Sequence, residues 1–299
     1  PLCSLIAMGL TPLISAEWNW RVQLLIPAIL SLIATALAWR YFPESPRWLE
    51  SRGRYQEAEK VMRSIEEGVI RQTGKPLPPV VIADDGKAPQ AVPYSALLTG
   101  VLLKRVILGS CVLIAMNVVQ YTLINWLPTI FMTQGINLKD SIVLNTMSMF
   151  GAPFGIFIAM LVMDKIPRKT MGVGLLILIA VLGYIYSLQT SMLLITLIGF
   201  FLITFVYMYV CYASAVYVPE IWPTEAKLRG SGLANAVGRI SGIAAPYAVA
   251  VLLSSYGVTG VFILLGAVSI IVAIAIATIG IETKGVSVES LSIDAVANK

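Results

Sequence analysis

Eight apolar runs lie near residues 1–15, 22–42, 106–131, 142–163, 171–188, 191–217, 230–253 and 258–281. A stretch of roughly 20 such residues is what an α-helix needs to cross a bilayer. Inside hydrocarbon every backbone N–H and C=O must be satisfied within the protein, which leaves only helices and closed barrels. A barrel would show shorter segments of alternating hydrophobicity, and these runs are continuously apolar. The sequence therefore predicts an all-α polytopic membrane protein. Composition agrees: 12% of the 299 residues are charged and the mean hydropathy is +0.83, whereas soluble chains carry about 25% charged residues.

The net charge of +5 could suggest a nucleic-acid partner, but the distribution of the charges excludes that reading. Of 21 Lys and Arg residues, 18 fall in the segments 40–105, 164–169, 227–229 and 284–299. Only Arg21 and Lys139 lie in the alternate connections, and Arg239 lies within a span. Basic residues collect on the cytoplasmic side of membrane proteins. Both ends of the sequence are thus expected in the cytoplasm, and the membrane is the plasma or inner cell membrane. The first residue is Pro1, no signal-peptide pattern precedes the first span, and spans upstream are expected to be missing.

Catalytic chemistry finds little footing. The chain has no His, which removes zinc sites of the HExxH type and any histidine proton relay. Cys3, Cys111 and Cys211 all fall in spans and read as small packing residues. No cofactor or metal is implied, and without a buried acid/base pair an enzyme has nothing to work with.

The long hydrophilic connection, 43–105, divides two spans (1–42) from six (106–285), with a short tail at 286–299. Within it, Trp48, Leu49, Tyr55, Ala58, Val61, Met62 and Ile65 lie near helical spacing. Ser45 then Pro46 reads as an N-cap with Pro at N1, and Gly53 is expected to split the stretch into two short amphipathic helices. A Pro-rich linker, 75–93, follows. "FPESPRWL" after the second span and "GIETKGVS" after the eighth place an acid in a polar break at corresponding helix ends. Aligning them brings Pro12 near Pro246, as in parallel repeats of a six-helix unit of which the first is partial.

Polar residues inside the spans mark candidate ligand contacts. Arg239 is ten residues beyond Arg229, roughly 15 Å along a helix, and so near the centre of a core about 30 Å thick. An arginine there costs about 2.5–3.5 kcal/mol or more and must face water, a carboxylate or a ligand. No acid lies deep in any span. Its partner is therefore an acid in a missing helix or the substrate itself. Gly230, Ala234, Gly238 and Gly242 form a small-residue stripe suited to close packing, while Ser231, Asn235 and Arg239 form a polar stripe one position on. In the third span Asn117, Tyr121 and Asn125 recur every four residues, with Gln120 beside them. The fourth span offers Asn145, Ser148, Ala152 and Gly155 on one face, and the sixth carries Tyr207, Tyr209 and Tyr212. Substrate contacts are assigned to Arg239, Asn235, Asn117, Gln120, Tyr121, Asn125 and Tyr207.

Four motifs carry a resemblance. "PESPRWL" (43–49), "DKIPRK" (164–169), "PEIWPTEAKLRG" (219–230) and "IETKG" (281–285) occur in order between spans. They are similar to the signatures of the major facilitator superfamily, in its sugar-porter and metabolite:proton symporter branch. The resemblance implies a major facilitator fold, with a partial N-terminal bundle and a complete six-helix C-terminal bundle, the spans being helices five to twelve of twelve. It implies a carrier that binds a small-molecule substrate near the bilayer midplane and rocks about it, with a co-transported proton carried by an acid in the missing helices. It also implies a cytoplasmic gate of Glu44, Arg47, Asp164, Arg168, Glu220, Arg229 and Glu282, pairing across the bundles in the outward-facing state. Pro167 stands where the family has glycine, and Lys227 rather than Arg229 keeps the usual spacing from Pro223. "GR" at Arg239 resembles the organic-anion members, so an organic, including aromatic, carboxylate is the expected substrate. A sugar or neutral metabolite porter, or a sensor of the same fold, is the alternative.

Overall fold

The computed structural model describes residues 5–6, 9–10, 13–77, 93–223 and 226–285. Among these the chain is helical, without strands, and six helices are long and apolar enough to cross a membrane. The chain divides into two units, Leu2–Ala88 and, Pro1 apart, Pro89–Lys299. Most of the first predicted span, Pro12, most of the Pro-rich linker and the tail 286–299 lie outside the described residues.

The first unit holds α1 (Ala16–Tyr41), α2 (Pro46–Ser51) and α3 (Tyr55–Thr73). Nothing in the apolar window of α1 is buried, as befits a helix whose neighbours are hydrocarbon or other spans. At its start Arg21 lies over the rings of Trp18 and Trp20, 5.4 and 4.5 Å from their centroids. Ser45 is the N-cap of α2 and Pro46 opens the helix. Gly53 takes φ of +72° between α2 and α3, a conformation that costs L side chains energy. This allows the chain to reverse, so that Leu49 and Ala58 are buried.

The second unit comprises α4 (Tyr94–Leu97), α5 (Gly100–Thr133), α6 (Leu138–Met149), α7 (Gly151–Val162), α8 (Arg168–Ser187), α9 (Met192–Val210), a π-helical turn (Cys211–Tyr217), α10 (Val218–Glu220) and α11 (Lys227–Ile279). α6 and α7 form one membrane-length span, 140–162, jointed at Phe150. α11 is 53 residues long and contains two predicted spans, because Gly257 at φ +66° and ψ −160° breaks it into arms 227–256 and 258–279. Only glycine adopts that backbone readily. The break folds the arms against each other: Val249 of the first and Val261 of the second bury in one cluster with Ile130.

Close approach of the helices follows from small residues. A Cβ on Gly151 or Gly155 would strike the backbone of α9 at Phe200 and Thr204, so α7 and α9 touch main chain to main chain. The π turn was not legible in the sequence. Pro219 just beyond it cannot donate to the carbonyl one turn back, which loosens the α-helical pattern there.

Candidate functional site

Two polar sites stand out in the second unit: one midway along the first arm of α11, the other at the end where α8 begins and α11 finishes.

The midway site begins with the small stripe. Gly230 lies on the ring of Trp222, Ala234 faces Gly109, Gly238 faces Leu113 and Asn117, and Gly242 faces Tyr121 and Asn117. From Ala234 onward the stripe therefore packs along α5, as its composition implied. Its polar neighbour is turned out of that seam, with Asn235 and Arg239 exposed and Ser231 half-buried. Arg239 donates from Nη1 to the Tyr121 hydroxyl at 3.3 Å. Among the described residues its Nε and Nη2 make no hydrogen bond.

The remaining predicted contacts separate. Gln120, Tyr121 and Tyr207 are half-buried and Asn125 is exposed. Asn117 is only 4% exposed, and its Nδ2 donates to the Leu113 carbonyl of its own helix at 2.7 Å. It lies in the α5–α11 seam, because the residue that faces Gly238 is necessarily covered. In the fourth span Ser148 donates to Leu144 O and packs on Gly199. Tyr209 and Tyr212 are buried: Tyr209 donates to the Val112 carbonyl at 3.1 Å, and Tyr212 stacks on Tyr217 with centroids 5.0 Å apart.

The second site gathers Asp164, Arg168, Glu220 and Glu282 within this one unit. Arg168 is buried and grips Glu220 side-on, Nε to Oε2 at 3.0 Å and Nη2 to Oε1 at 3.1 Å. Such a two-bond fork is the strong form of the pair. Its Nη1 donates to the Met163 carbonyl, and exposed Asp164 sits 3.5 Å from Nη2. Thr283 donates to Glu220 at 2.5 Å.

Glu282 does something the motif did not disclose. The N-cap of α8 is Pro167, which has no capping side chain. The Glu282 carboxylate takes that role from across the chain, accepting the backbone N–H of Arg168 at 2.7 Å and of Lys169 at 3.1 Å. It also accepts the N–H of Lys284 at 3.1 Å. A carboxylate at a helix N-terminus meets both orphan donors and the positive end of the dipole. Partial burial pushes its pKa up, but the three backbone N–H groups and the Arg168 charge outweigh that and hold it below the ordinary carboxylate range. Tyr217 sets the approach, its hydroxyl donating to Ile281 O at 3.1 Å and accepting Ile281 N–H at 3.0 Å.

The Arg229 guanidinium lies 5.2 Å from the Tyr94 ring centroid. Glu44, in the other unit, is exposed, and the Arg47 side chain lies outside the described residues. Arg105 was grouped by sequence with the basic loop residues, yet it is only 3% exposed near the start of α5. Its position as the last residue of the predicted hydrophilic connection gave no sign of this.

A family model described as sugar (and other) transporter matches residues 2–295. The inner membrane metabolite transport protein YdjE of Escherichia coli (strain K12) is 45% identical over 93% of this chain and 62% of its own length. The niacin transporter NiaP of Acinetobacter baylyi is 25% identical over 97% of this chain and 65% of its own. The chain spans about three fifths of the length of the first of these. Solved structures of XylE share the fold: a double Trp mutant at TM-score 0.69 and 18% identity, covering 97% of this chain and 63% of that one. XylE described as a proton:xylose symporter bound to 6-bromo-6-deoxy-D-glucose aligns at TM-score 0.61 and 22% identity, with the same coverage. The helical architecture, the paired arms of α11 and the family match along nearly the whole sequence lead to one conclusion: this chain belongs to the sugar (and other) transporter family, with the major facilitator fold.

Proposed function

We propose that the chain is the greater part of a secondary transporter that carries a small organic carboxylate, aromatic acids included, together with protons by alternating access. The observation behind the substrate class is the state of Arg239. One nitrogen is engaged by Tyr121, and the Nε–Nη2 edge is left for a ligand. The same edge of Arg168 is the one that grips the Glu220 carboxylate, so the molecule already uses this chemistry once. The Tyr121 hydroxyl accepts from Arg239 and keeps its own proton to donate. Trp126 and Tyr207, both half-buried, offer aromatic surface.

The relatives are divided on substrate. One is named for niacin, one for arabinose and protons, and one for organic cations and carnitine. A guanidinium near the midplane supports the anion over the sugar or the cation, because an unmatched charge there is costly. In this reading Asn235, Gln120, Asn125 and Tyr207 contribute polar contacts, whereas Asn117, covered by Gly238, serves the packing of α5 on α11. The cluster of Asp164, Arg168, Glu220 and Glu282, with Arg229, Glu44 and Arg47, works as the gate at the end expected to face the cytoplasm.

The test is uptake by the full-length protein in liposomes with an imposed pH gradient. Labelled benzoate should accumulate and respond to the gradient, and labelled glucose should not. Glucose uptake alone would replace the anion reading with a sugar porter, and binding without uptake would make the protein a sensor.

A further inference from the structure

We propose that Gly242 is a positioning residue for Arg239, acting through the ring of Tyr121. The inference rests on Arg239 being an anion contact. A Cβ on Gly242 would lie 3.1 Å from both Cδ2 and Cε2 of Tyr121, and 3.7 Å from the Asn117 Cβ. The missing side chain is therefore what lets the tyrosine ring lie against the first arm of α11. Where the ring lies decides where its hydroxyl lies, and the hydroxyl is 3.3 Å from Arg239 Nη1. That distance is at the long end for an N–H···O bond, so a ring displaced outward by a few tenths of an ångström no longer holds the guanidinium.

The neighbouring glycine of the stripe does not share this role. A Cβ on Gly238 would meet the Leu113 Cβ at 2.8 Å and its backbone carbon at 3.3 Å, so it governs how closely two helices approach. At Gly242 the contact is the edge of a half-buried ring that can shift. Arg239 and Gly242 are also i and i+3 on one arm and thus neighbours on its surface. With Nη1 held by the hydroxyl, the Nε–Nη2 edge keeps one orientation toward a ligand. With Nη1 released, the long side chain samples many rotamers and its ordering on binding becomes costly.

The experiment uses the purified full-length protein, benzoate as probe and four variants: Gly242→Ala, Tyr121→Phe, both together, and Arg239→Gln. Gly242→Ala and Tyr121→Phe should each weaken benzoate binding about three- to tenfold, the worth of one ordinary hydrogen bond. The double variant should be no weaker than the worse single, because both remove the same contact. Alanine favours helix over glycine, so the melting temperature of Gly242→Ala should not fall. Losses that add would overturn the route through Tyr121, and an unfolded Gly242→Ala would show that the glycine serves packing instead. Normal benzoate binding by Arg239→Gln would overturn the anion reading and this inference with it. Loss in Arg239→Gln with none in Gly242→Ala would overturn this inference alone. A second readout needs no ligand: phenylglyoxal modification of Arg239, followed by mass spectrometry. It should be faster in Gly242→Ala and Tyr121→Phe than in wild type, and a wild-type rate in Gly242→Ala would overturn the proposal even if wild type ignored benzoate.

Discussion

Replacing Glu282 tests how the charged end of the bundle is held. Its Oε1 accepts two N–H groups, from Arg168 and Lys284, and its Oε2 accepts one, from Lys169. Glu282→Gln keeps an oxygen for the first pair but sets an amide N–H₂ against the Lys169 donor and removes the charge. Glu282→Ala removes all three acceptors from a helix whose N-cap is a proline. Caps of this kind are worth about 1 kcal/mol, up to 2, and a charge on the dipole about 0.3–1. The carboxylate is half-buried, so water replaces part of what is lost. Gln should cost about 1 kcal/mol and Ala about 2 kcal/mol. The assay is reversible unfolding of the purified protein, or ranked melting temperatures if unfolding is irreversible. The pH dependence supplies an independent check. The folded pKa of Glu282 is depressed, so its stabilisation is complete above its unfolded value, about 4.3. It is then lost as pH falls through the folded value. The gap between wild type and Glu282→Gln should therefore narrow in acid. Equal stability of all three proteins at neutral pH, or a gap that widens in acid, would refute the capping role.

Three further outcomes are expected. Gly155→Ala drives a Cβ into the backbone of α9 at Thr204, which cannot yield as a side chain would; it should destabilise by about 1–3 kcal/mol, read as a lowered melting temperature. Tyr217→Phe loses both hydrogen bonds to Ile281 and should cost about 1–2 kcal/mol by the same measurement, while loosening protection of the segment around Glu282 in hydrogen exchange. A cysteine placed at Asn137, exposed at the N-cap of α6, should react with impermeant reagents from outside intact cells, and one at Gln72 should not; the reverse would invert the proposed orientation.

What the sequence disclosed was what periodicity can encode. The spans follow from unbroken apolar runs, and the stripe Gly230, Ala234, Gly238 and Gly242 announced a packing face, which lies on Trp222 at Gly230 and along α5 from Ala234 onward. Asn117 shows the limit of that argument. Its four-residue spacing with Tyr121 and Asn125 marks a polar face, but only the partner helix determines which member is covered, and Gly238 covers Asn117. Glu282 was legible as a charged loop residue and not as a cap, because the helix it caps begins more than a hundred residues earlier. Pro167 was the available hint, since a helix starting after proline needs its acceptor from elsewhere. Four of the seven residues expected at the gate, Asp164, Arg168, Glu220 and Glu282, lie in one cluster, while the motifs offered nothing on which of Glu220 and Asp164 Arg168 would prefer. The structure makes that choice by burial: Glu220 is half-buried and takes two bonds, whereas exposed Asp164 takes one long one.

The central claim is that Arg239 meets the carboxylate of the substrate, and the most direct measurement is calorimetric binding of a panel of organic acids to wild type, Arg239→Lys and Arg239→Gln. Lysine keeps the charge but cannot form the planar fork. The account predicts that Arg239→Lys, folded and monodisperse, binds its best acid about tenfold more weakly or worse, in line with a charge-assisted hydrogen bond of about 1.5–3 kcal/mol. Arg239→Gln should fold and lose nearly all binding. A well-folded Arg239→Gln protein that binds the same acids with wild-type affinity would contradict it.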